Sequence, residues 1–454
     1  MSLVHAVLRF LFGPPPKNRP SPSHPPPLNR STFKGQPSPR LRQPKPPPAG
    51  LTAQQLQEAL ALASPLTTQR TALPILSCCL LGNGKLAATD LDSYLTLELP
   101  DLRVAPVCVS VAQLQKVVRT LRGPLVLSRQ EGNLQVNDFL LPGLDPAEFP
   151  ASPATGVGEP IGPVFMVPPR WSDLLPAVST DPARLNLSGV CVDLAKGHCV
   201  SSDGHRLHAL RMAAEGVTVS GIIPLPTARL VARVVTKGEV TGQFYPQRRI
   251  LNTEDAALLA IEMTKDTPEA VRRKREKLDA ELKRPVYVLF RAPGVELWAR
   301  LVEGEFPDYL PILQRPKQVS IATLPTALVL AALKACLACA PKDRLGVSLT
   351  RLPAGVRIRL EATDHGRVER LVECRGWKPG HYIGMNARYL LHALECWQGK
   401  EVTLWIKDVA TAVHLEDDNL HVVIMPVRVS EPMECQQVMK RGETNPTAAD
   451  PVSS

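Results

Sequence analysis

SVAQLQKVVRTLRGPLVLSRQEGNLQV, residues 110–136, combines the signals of a helix and of a β-hairpin in one segment. Ser110 can cap a helix whose apolar residues recur at helical spacing. Gly123 suits the position just after the helix end, and Gly132 is typical of a hairpin turn. The segment therefore predicts a capped amphipathic helix followed by two antiparallel strands. The predicted apolar stripe is Val111, Leu114, Val117, Val118 and Leu121.

The same order of helix, glycine and strands occurs twice more in the chain. Residues 226–244 read PTARLVARVVTKGEVTGQF, and residues 386–420 read NARYLLHALECWQGKEVTLWIKDVATAVHLEDDNL. Each predicts an amphipathic helix between a capping residue and a glycine. The predicted cap and end glycine are Thr227 and Gly238 in one copy, and Asn386 and Gly399 in the other. A pattern that recurs three times indicates three similar domains.

A further helix candidate precedes each copy: TAQQLQEALALAS, PPRWSDLLPAVST and LPTALVLAALKACLACA. Pro176 interrupts the second of them, because proline lacks the amide donor of a helix interior. We therefore predict an α+β fold of three tandem domains, each with two helices packed on antiparallel sheet. The predicted bounds are 51–157, 158–316 and 317–429.

Three other segments lie outside this repeat. Residues 1–50 are rich in proline and predict a disordered tail, and residues 430–454 predict a second, polar tail. Residues 250–285 form a charged insertion in the second domain, where AVRRKREKLDAELKRP favours a solvated helix. A protein-binding arm is the alternative for that insertion.

The positive charge of the chain is concentrated in its N-terminal tail, and its cysteines do not follow a disulfide or zinc-binding pattern. Residues 1–50 carry eight Lys and Arg and no acidic residue, so this tail accounts for most of the net charge of +10. A nucleic-acid partner has to be argued from the placement of cations and not from total charge. The ten cysteines are scattered, which favours reduced thiols in a cytoplasmic protein. The lone CxxC of Cys336 and Cys339 predicts two buried thiols, because no second pair lies at zinc spacing.

The sequence contains no motif typical of an enzyme. A GxGxxG loop, a P-loop, a GxSxG elbow and paired carboxylates are all absent from it. His205 and His208 lie three residues apart without a third metal ligand nearby. No apolar stretch is long enough to cross a membrane. We therefore expect a protein without catalysis, metal or cofactor and without a membrane partner.

Four strings carry a resemblance to a known family. They are RTALPILSCCLL…GKLAATDLDSYLTLEL at 70–99, ARLNLSGVCVD…CVSSDGHRLHALRM at 183–212, LVEGEFPDYLPIL at 301–313 and HVVIMPVRV at 421–429. In this order and on the threefold repeat, the chain resembles a divergent member of the bacterial DNA polymerase III beta subunit family, the sliding clamps. The resemblance implies that two chains close head to tail into a pseudo-sixfold ring around double-stranded DNA. Such a homodimer would act in DNA replication as a processivity factor.

The resemblance also suggests which cations contact DNA. Arg70 stands where the family has a DNA-contacting arginine. Two further groups lie on the polar faces of predicted helices, and a clamp needs only phosphate contacts that ignore base sequence. These groups are Lys116, Arg119 and Arg122, and Arg229, Arg233 and Lys237. A merely solvated helix face is the alternative.

A second implied site is a hydrophobic pocket between the second and third domains. The family inserts peptides there from the replicative polymerase catalytic subunit, the clamp loader and other clamp-motif proteins. Ordinary core and turn positions are the alternative. The predicted pocket residues are Leu187, Ser202, Gly204, His205, Arg206, Leu207, Pro307, Ile312, Val423, Met425, Pro426, Val427 and Arg428.

The chain departs from the family pattern at several places. Prolines precede Leu51, where the family has its first strand, and Leu310 and Pro311 replace arginines at the pocket rim. The tail that follows Val429 begins beside the predicted pocket and could occlude it. These departures leave open a second hypothesis, a clamp-fold paralogue that serves as a docking or regulatory module without being loaded as a ring.

Overall fold

The computed structural model describes residues 50–67, 72–213, 217–248, 269, 272–273, 284–341, 345–362 and 366–429. Nearly all of the predicted N-terminal tail and of the charged insertion, and the whole C-terminal tail, lie outside these residues. The α-helices are α1 (Ala53–Ala63), α2 (Val111–Thr120), α3 (Leu225–Val235), α4 (Leu310–Leu313), α5 (Thr326–Cys339) and α6 (Ala387–Glu395).

The strands fall into three groups along the chain, one for each third of it. The first third contains β1 (Cys78–Gly82), β2 (Lys85–Thr89), β3 (Ser93–Glu98), β4 (Val107–Ser110), β5 (Leu127–Gln130), β6 (Asn133–Val136), β7 (Phe139–Leu141) and β8 (Gly143–Leu144). The second contains β9 (Ile161–Met166), β10 (Gly189–Asp193), β11 (His198–Ser202), β12 (Arg206–Arg211), β13 (Ser220–Pro224), β14 (Thr241–Pro246), β15 (Pro285–Ala292) and β16 (Val295–Arg300). The last contains β17 (Ser320–Pro325), β18 (Gly346–Leu352), β19 (Gly355–Ala362), β20 (Gly366–Val372), β21 (Arg375–Gly376), β22 (Tyr382–Asn386), β23 (Glu401–Ile406), β24 (Val413–Glu416) and β25 (Leu420–Ile424).

The threefold repeat predicted from the sequence is present in the order of elements. Each third has a three-stranded meander, a fourth strand, an amphipathic helix and a second meander. The strands β3, β12 and β20 are therefore equivalent, and so are β7, β16 and β25. The predicted α+β fold of three similar units, with antiparallel sheets carrying helices on one side, is confirmed.

Sheets continue from one third of the chain into the next. One nine-stranded sheet has the order β8-β4-β1-β2-β3-β16-β15-β14-β9, and a second has the order β13-β10-β11-β12-β25-β24-β23-β17-β21. The joining pairs are β3 with β16, where Leu95 lies opposite Leu297, and β12 with β25, where Leu207 lies opposite Val423. We call these the first and second boundary. Strand pairing across them satisfies the backbone groups of both edges.

Two smaller sheets end in strands that are equivalent to the boundary strands. The strands β5-β6-β7 form one and β20-β19-β18-β22 the other. Within the described residues, β7 and β20 each pair on one side only. Exposed apolar side chains lie on both, namely Phe139 and Leu140 on β7 and Leu371 on β20.

Helix ends differ from the sequence predictions in several details. Asn386 caps α6 as predicted, because its side chain accepts hydrogen bonds from two backbone amides. Thr227 as a cap is wrong: α3 already begins at Leu225, and the buried Thr227 hydroxyl lies 2.9 Å from that of Ser93. Ser110 precedes α2 but makes no capping bond with its side chain. The helices α2, α3 and α6 end a few residues before the predicted glycines Gly123, Gly238 and Gly399.

The second predicted helix candidate is a 3-10 helix over Trp171–Ala177 with Pro176 inside it. The predicted second helix of this unit is therefore present, as a 3-10 helix and not as an α-helix. Proline removes an amide donor, and the tighter i to i+3 pattern accommodates it in a short segment. The prediction of two buried thiols in the CxxC is half wrong, because Cys336 is buried and Cys339 is exposed at the end of α5.

The helical segments lie side by side in the order α2, α1, α3, the 3-10 segment, α6 and α5. Hydrogen bonds or ion pairs connect each neighbouring pair, and their buried faces pack on the sheets. The contacts are Gln57 Nε2 to Val118 O (2.8 Å), Arg233 Nη1 to Ala61 O (3.4 Å), Trp171 Nε1 to Ala228 O (2.9 Å), Arg170 Nη2 to Cys396 O (2.6 Å), and Lys334 Nζ to Glu395 Oε1 (3.6 Å). In the described part of the chain, no helix is long and apolar enough to cross a membrane.

The described residues show what adjoins two unusual parts of the sequence, the segment before α1 and the charged insertion. The position of a strand before α1 lies outside the described residues, and Thr52 contributes an isolated bridge to Pro124. The charged insertion separates β14 from β15, which pair up to Pro246 and Pro285. It therefore emerges from the end of a hairpin and does not interrupt the sheet.

Candidate DNA-facing surface and partner-binding site

The predicted cations of α2 and α3 all lie on the solvent side of the helical layer. Their helices bury the opposite faces, for example Leu114 on α2 and Val231 on α3. The exposed cations are Lys116, Arg119, Arg122, Arg229, Arg233 and Lys237. Arg70, the remaining predicted DNA contact, lies outside the described residues. The layer thus presents six cations, four on α2 and α3 and two, Arg122 and Lys237, just after the ends of these helices, and both helices contact α1.

Contacts with α1 hold α3 next to it without neutralising the surface. Arg233 donates to the Ala61 carbonyl, which carries no formal charge. The Lys237 ammonium lies 3.9 Å from the Glu58 carboxylate, with both side chains about half exposed. An ion pair this exposed contributes little energy, so Lys237 can exchange Glu58 for a phosphate at small cost.

The helices of the last third carry much less free positive charge. Helix α5 is rich in alanine and leucine and leaves Leu328 exposed, while its Lys334 pairs with Glu395 of α6. His392 on α6 turns away from solvent toward Arg206. Beside this pair, Arg388 of α6 is exposed, so this part of the layer carries fewer free cations than α2 and α3 do.

Arg206 connects the second and third units at the second boundary. Its Nε donates to Asp203 at 2.9 Å, one terminal nitrogen lies 2.9 Å from His392 Nδ1, and the other donates to the Pro176 carbonyl. The guanidinium also stacks on Tyr389 at 4.3 Å. Burial and the nearby guanidinium lower the pKa of His392, so its ring accepts as a neutral base. Each guanidinium nitrogen of Arg206 thus has a hydrogen-bond partner, and the arginine fixes the turn before β12.

That turn requires glycine at its tip. Gly204 has φ +86°, and a Cβ there would lie 2.3 Å from the Arg184 guanidinium, which donates to Asp203 O at 2.6 Å. Gly204 and His205 are exposed, and His205 O accepts from Met425 N at 2.9 Å. The predicted pocket residues around the turn and after β25 are therefore brought together by the boundary.

The apolar centre of the predicted pocket is closed in this structure. Leu207 and Val423 face each other across the boundary and are only 3% and 2% exposed. Tyr309 covers them and donates its hydroxyl to Asp193 at 3.2 Å. Around this cluster, Pro307, Ile312, Met425 and Arg428 are exposed, whereas Pro426 and Val427 are half-buried. Leu187 is buried beside the loop that carries Glu305, and the Ser202 hydroxyl donates to Arg206 O.

A cleft of about 320 Å³ that is open to solvent lies beside this apolar cluster, further along β12 and β25. Ala209 and His421 face each other one step beyond the Leu207 and Val423 pair, on the same side of the sheet. The cleft is lined by His198, Ala209, Arg211, Leu310, Leu313, Gln314, Arg315, Glu416 and His421. None of the predicted pocket residues is in this set. The sequence signal that could have revealed the cleft is the alternation of Leu207, Ala209 and Arg211 on β12.

The cleft has one nearly buried acid that is shared between two arginines. Glu416 accepts from both Arg211 and Arg315, and Arg315 stacks on Trp405 at 4.2 Å. Burial, reinforced by the neighbouring cations, lowers the pKa of His421 to about 4. Its Nε2 lies 3.0 Å from His414 Nδ1. Although the sequence predicted a loss of charge at Leu310 and Pro311, Arg211 and Arg315 supply positive charge at this cleft.

Comparisons with known proteins agree with this architecture. No family model matches the chain. The chain is 23% identical to the beta sliding clamp of Caulobacter vibrioides over 398 residues, which cover 82% of this chain and 98% of that protein. Solved beta sliding clamps superpose along 84% of this chain and 99% of theirs. They include those of Caulobacter crescentus (TM-score 0.66, 24% identity), Thermotoga maritima (0.65, 20%) and Bartonella birtlesii, bound to griselimycin (0.67, 21%).

Proposed function

We propose that this chain, which has the fold of the bacterial beta sliding clamps and resembles them in sequence, is itself a DNA sliding clamp. Two copies form a ring around duplex DNA and tether a replicative polymerase to it. The protein is a non-catalytic processivity factor of the cytoplasm. The clamp loader and other clamp-motif proteins would use the same docking site at the second boundary.

The repeated strand pairing at the boundaries is the observation that carries this proposal. The pairs β3 with β16 and β12 with β25 join equivalent strands, so the same contact is made twice within one chain. The third equivalent pair is β20 of one copy with β7 of another. Two copies joined head to tail at both such edges contain six equivalent boundaries and no free one, which makes a closed assembly. The exposed Leu371, Phe139 and Leu140 would be buried in these contacts.

The helical layer would line the central hole. Its exposed lysines and arginines can contact phosphates without reading bases, as sliding requires. Because escape requires ring opening, individual phosphate contacts can be weak. We assign these contacts to Arg70 and to the six cations of α2 and α3. The three units are assigned to residues 51–157, 158–316 and 317–429.

Retention on circular DNA tests the proposal directly. Protein loaded on a nicked circular plasmid should remain bound in high salt and should be released when the plasmid is cut to a linear form. Release at equal rates from circular and linear DNA would contradict a ring. The mass in solution gives a second measurement, since a ring requires twice the chain mass of 49.5 kDa.

The low number of exposed cations on the helices of the last third supports one alternative function. A clamp-fold docking module that is not loaded on DNA needs few cations on α5 and α6, where Lys334 is paired with Glu395 and Arg388 is exposed. Such a module would bind partner peptides at the second boundary and remain monomeric. The plasmid and mass measurements separate the two functions.

A further inference from the structure

The open cleft beside the second boundary carries positive charge that its own acid does not balance. Arg211 and Arg315 both donate to Glu416, so two guanidinium groups share one carboxylate. Both arginine side chains are about half exposed and can accept further anionic partners, whereas Glu416 is nearly buried. The cleft therefore suits a ligand with carboxylate groups.

The same cleft offers apolar contact surface on one wall. Leu310 and Leu313 of α4 line it, and Leu310 and its neighbour Ile312 are exposed to solvent. An occupant that fits must combine acidic groups with adaptable apolar side chains. Methionine is well suited to such irregular surfaces, because its side chain is unbranched and polarisable.

A segment with this chemistry follows the last described residue. The 25 residues after Val429, SEPMECQQVMKRGETNPTAADPVSS, contain four acidic and two basic residues. Met433, Val438, Met439 and Val452 are its larger apolar residues. In composition this segment complements the cleft in both charge and apolar character.

The position of the chain near Val429 brings this segment within reach. Met425 N donates to His205 O and Val427 N to Gly384 O, so the chain remains attached at the second boundary after β25. Val429 is eight residues from His421 in the cleft, which limits their separation to about 28 Å. The following 25 residues can span up to ~85 Å. The segment can therefore place its glutamates and methionines in the cleft of its own chain.

We propose that residues 430–454 dock in this cleft in cis, with their carboxylates on Arg211 and Arg315 and their methionines on Leu310 and Leu313. The docked segment would lie across the rim of the partner-binding site and compete with partner peptides. That regulatory consequence rests on the proposed clamp function, whereas the docking itself does not.

A labelled synthetic peptide of residues 430–454 tests the docking without DNA or polymerase. The full-length chain is compared with a full-length tail variant that carries Glu431→Gln, Glu434→Gln, Glu443→Gln, Met433→Ser and Met439→Ser. A tethered segment acts at an effective concentration of about 1 mM, so a segment with a Kd of about 0.1 mM weakens a competitor ~10-fold. The labelled peptide should therefore bind the tail variant about 10-fold more tightly than the unaltered chain, by fluorescence anisotropy.

Substitutions in the cleft show whether the peptide binds there. Arg211→Gln with Arg315→Gln, added to the tail variant, should abolish peptide binding. Arg291→Gln is the matched control, because Arg291 is an exposed arginine paired with a glutamate at 3.0 Å on the other large sheet. Equal binding to the tail variant and the unaltered chain, or binding that survives loss of both cleft arginines, would overturn the proposal.

Hydrogen exchange provides a measurement on the unaltered fold. Amides of residues 306–316 should exchange more slowly in the full-length chain than in the tail variant. Equal exchange in the two proteins would contradict docking. If docking is found but DNA is not retained on circles, the clamp proposal fails and the docking proposal stands.

Discussion

The two boundaries within this chain have the same strand topology and both bury apolar side chains, but the second adds a network of largely buried ion pairs. At the first, Tyr94, Phe149, Leu289 and Trp298 form a buried apolar cluster. At the second, Arg206 joins an ionic network, and Arg170 bonds both Asp173 and Asp417 at 2.7 Å. Equivalent strands can therefore be joined mainly by apolar burial, or by apolar burial together with satisfied charges.

We relate this difference to the sites that each boundary has to position. Burial of apolar area is non-directional and provides stability alone. Buried ion pairs add little net stability because desolvation offsets their attraction, but they require one geometry. In this protein the ionic boundary positions the Gly204 turn, the proposed partner site and the cleft. We infer that its charges serve orientation more than stability.

Removing the largest side chain at the first boundary should have the largest effect. Trp298→Ala deletes an aromatic ring that is almost fully buried and packs on Tyr245 at 4.9 Å between ring centres. The free energy of unfolding should fall by about 4 kcal/mol, as measured by urea denaturation. The loss should be the same at low and high salt, since no charge is involved. A strong salt dependence would show that the first boundary is not purely apolar.

Breaking the ionic network at the second boundary should lower the free energy of unfolding slightly less than Trp298→Ala does. Arg206→Ala leaves Asp203 and His392 without their shared partner in a region where the arginine side chain is only 7% exposed. We expect a loss of about 3 kcal/mol in the free energy of unfolding. Arg211→Ala is the control, because this arginine is 58% exposed and should cost well under 1 kcal/mol. Equal losses from both substitutions would contradict the assigned role of Arg206.

Acid should weaken the second boundary selectively, because the residues from 50 to 197, which include β3 and its surroundings, contain no histidine. His208 is fully buried with its Nδ1 2.7 Å from Asp173 O, and burial lowers its pKa from 6.5 to about 4. Between these values the unfolded chain binds a proton that the folded chain excludes. Stability is therefore complete above pH 6.5 and falls as the pH drops toward 4, by up to ~1.4 kcal/mol per pH unit.

The variant His208→Asn tests this pH dependence, because the amide can still donate to Asp173 O but does not titrate. Its free energy of unfolding should change less between pH 6.5 and pH 4 than that of the unaltered chain. His381→Asn, at an exposed position, is the matched control for the substitution itself. Identical profiles for all three proteins would assign the acid sensitivity to other groups.

The smallest effect is expected for the ion pair between Lys237 and Glu58. Both side chains are more than half exposed and 3.9 Å apart, so a double-mutant cycle should give a coupling energy of about 0.3 kcal/mol. A coupling above 1 kcal/mol would show that ionic contacts also support the first boundary. In that case the two boundaries would differ only in how much their ionic contacts contribute to stability.

Much of the fold followed from local patterns in the sequence. The amphipathic periods around Leu114, Leu230 and Leu390 predicted three equivalent helices, and all three are present. The hairpin at Gly132 was also predicted correctly, since Glu131 and Gly132 both adopt positive φ. Capping at Thr227 was wrong because Pro224 and Pro226 favour an earlier start of α3, which turns the threonine inward to Ser93.

The candidate site was less accessible to sequence reasoning. The cations of α2 and α3 could be chosen from helical spacing, because neighbouring helical turns expose the same face. The roles of these residues and of the predicted pocket remain predictions. The cleft was missed because its residues come from β11, β12, β24, β25 and the segment around α4. No local spacing relates Arg211 to Arg315 and Glu416.

The sequence by itself determined three repeats of helix and strands, their order and the sign of charge on the helices, since periodicity and turn chemistry act over a few residues. Only the tertiary structure decided which strand edges are paired, that Tyr309 closes the apolar cluster, and that two arginines meet one glutamate beside it. Those features depend on the register between strands that lie more than two hundred residues apart in the chain. Strand register is set by packing of the whole unit, and local sequence carries little information about it.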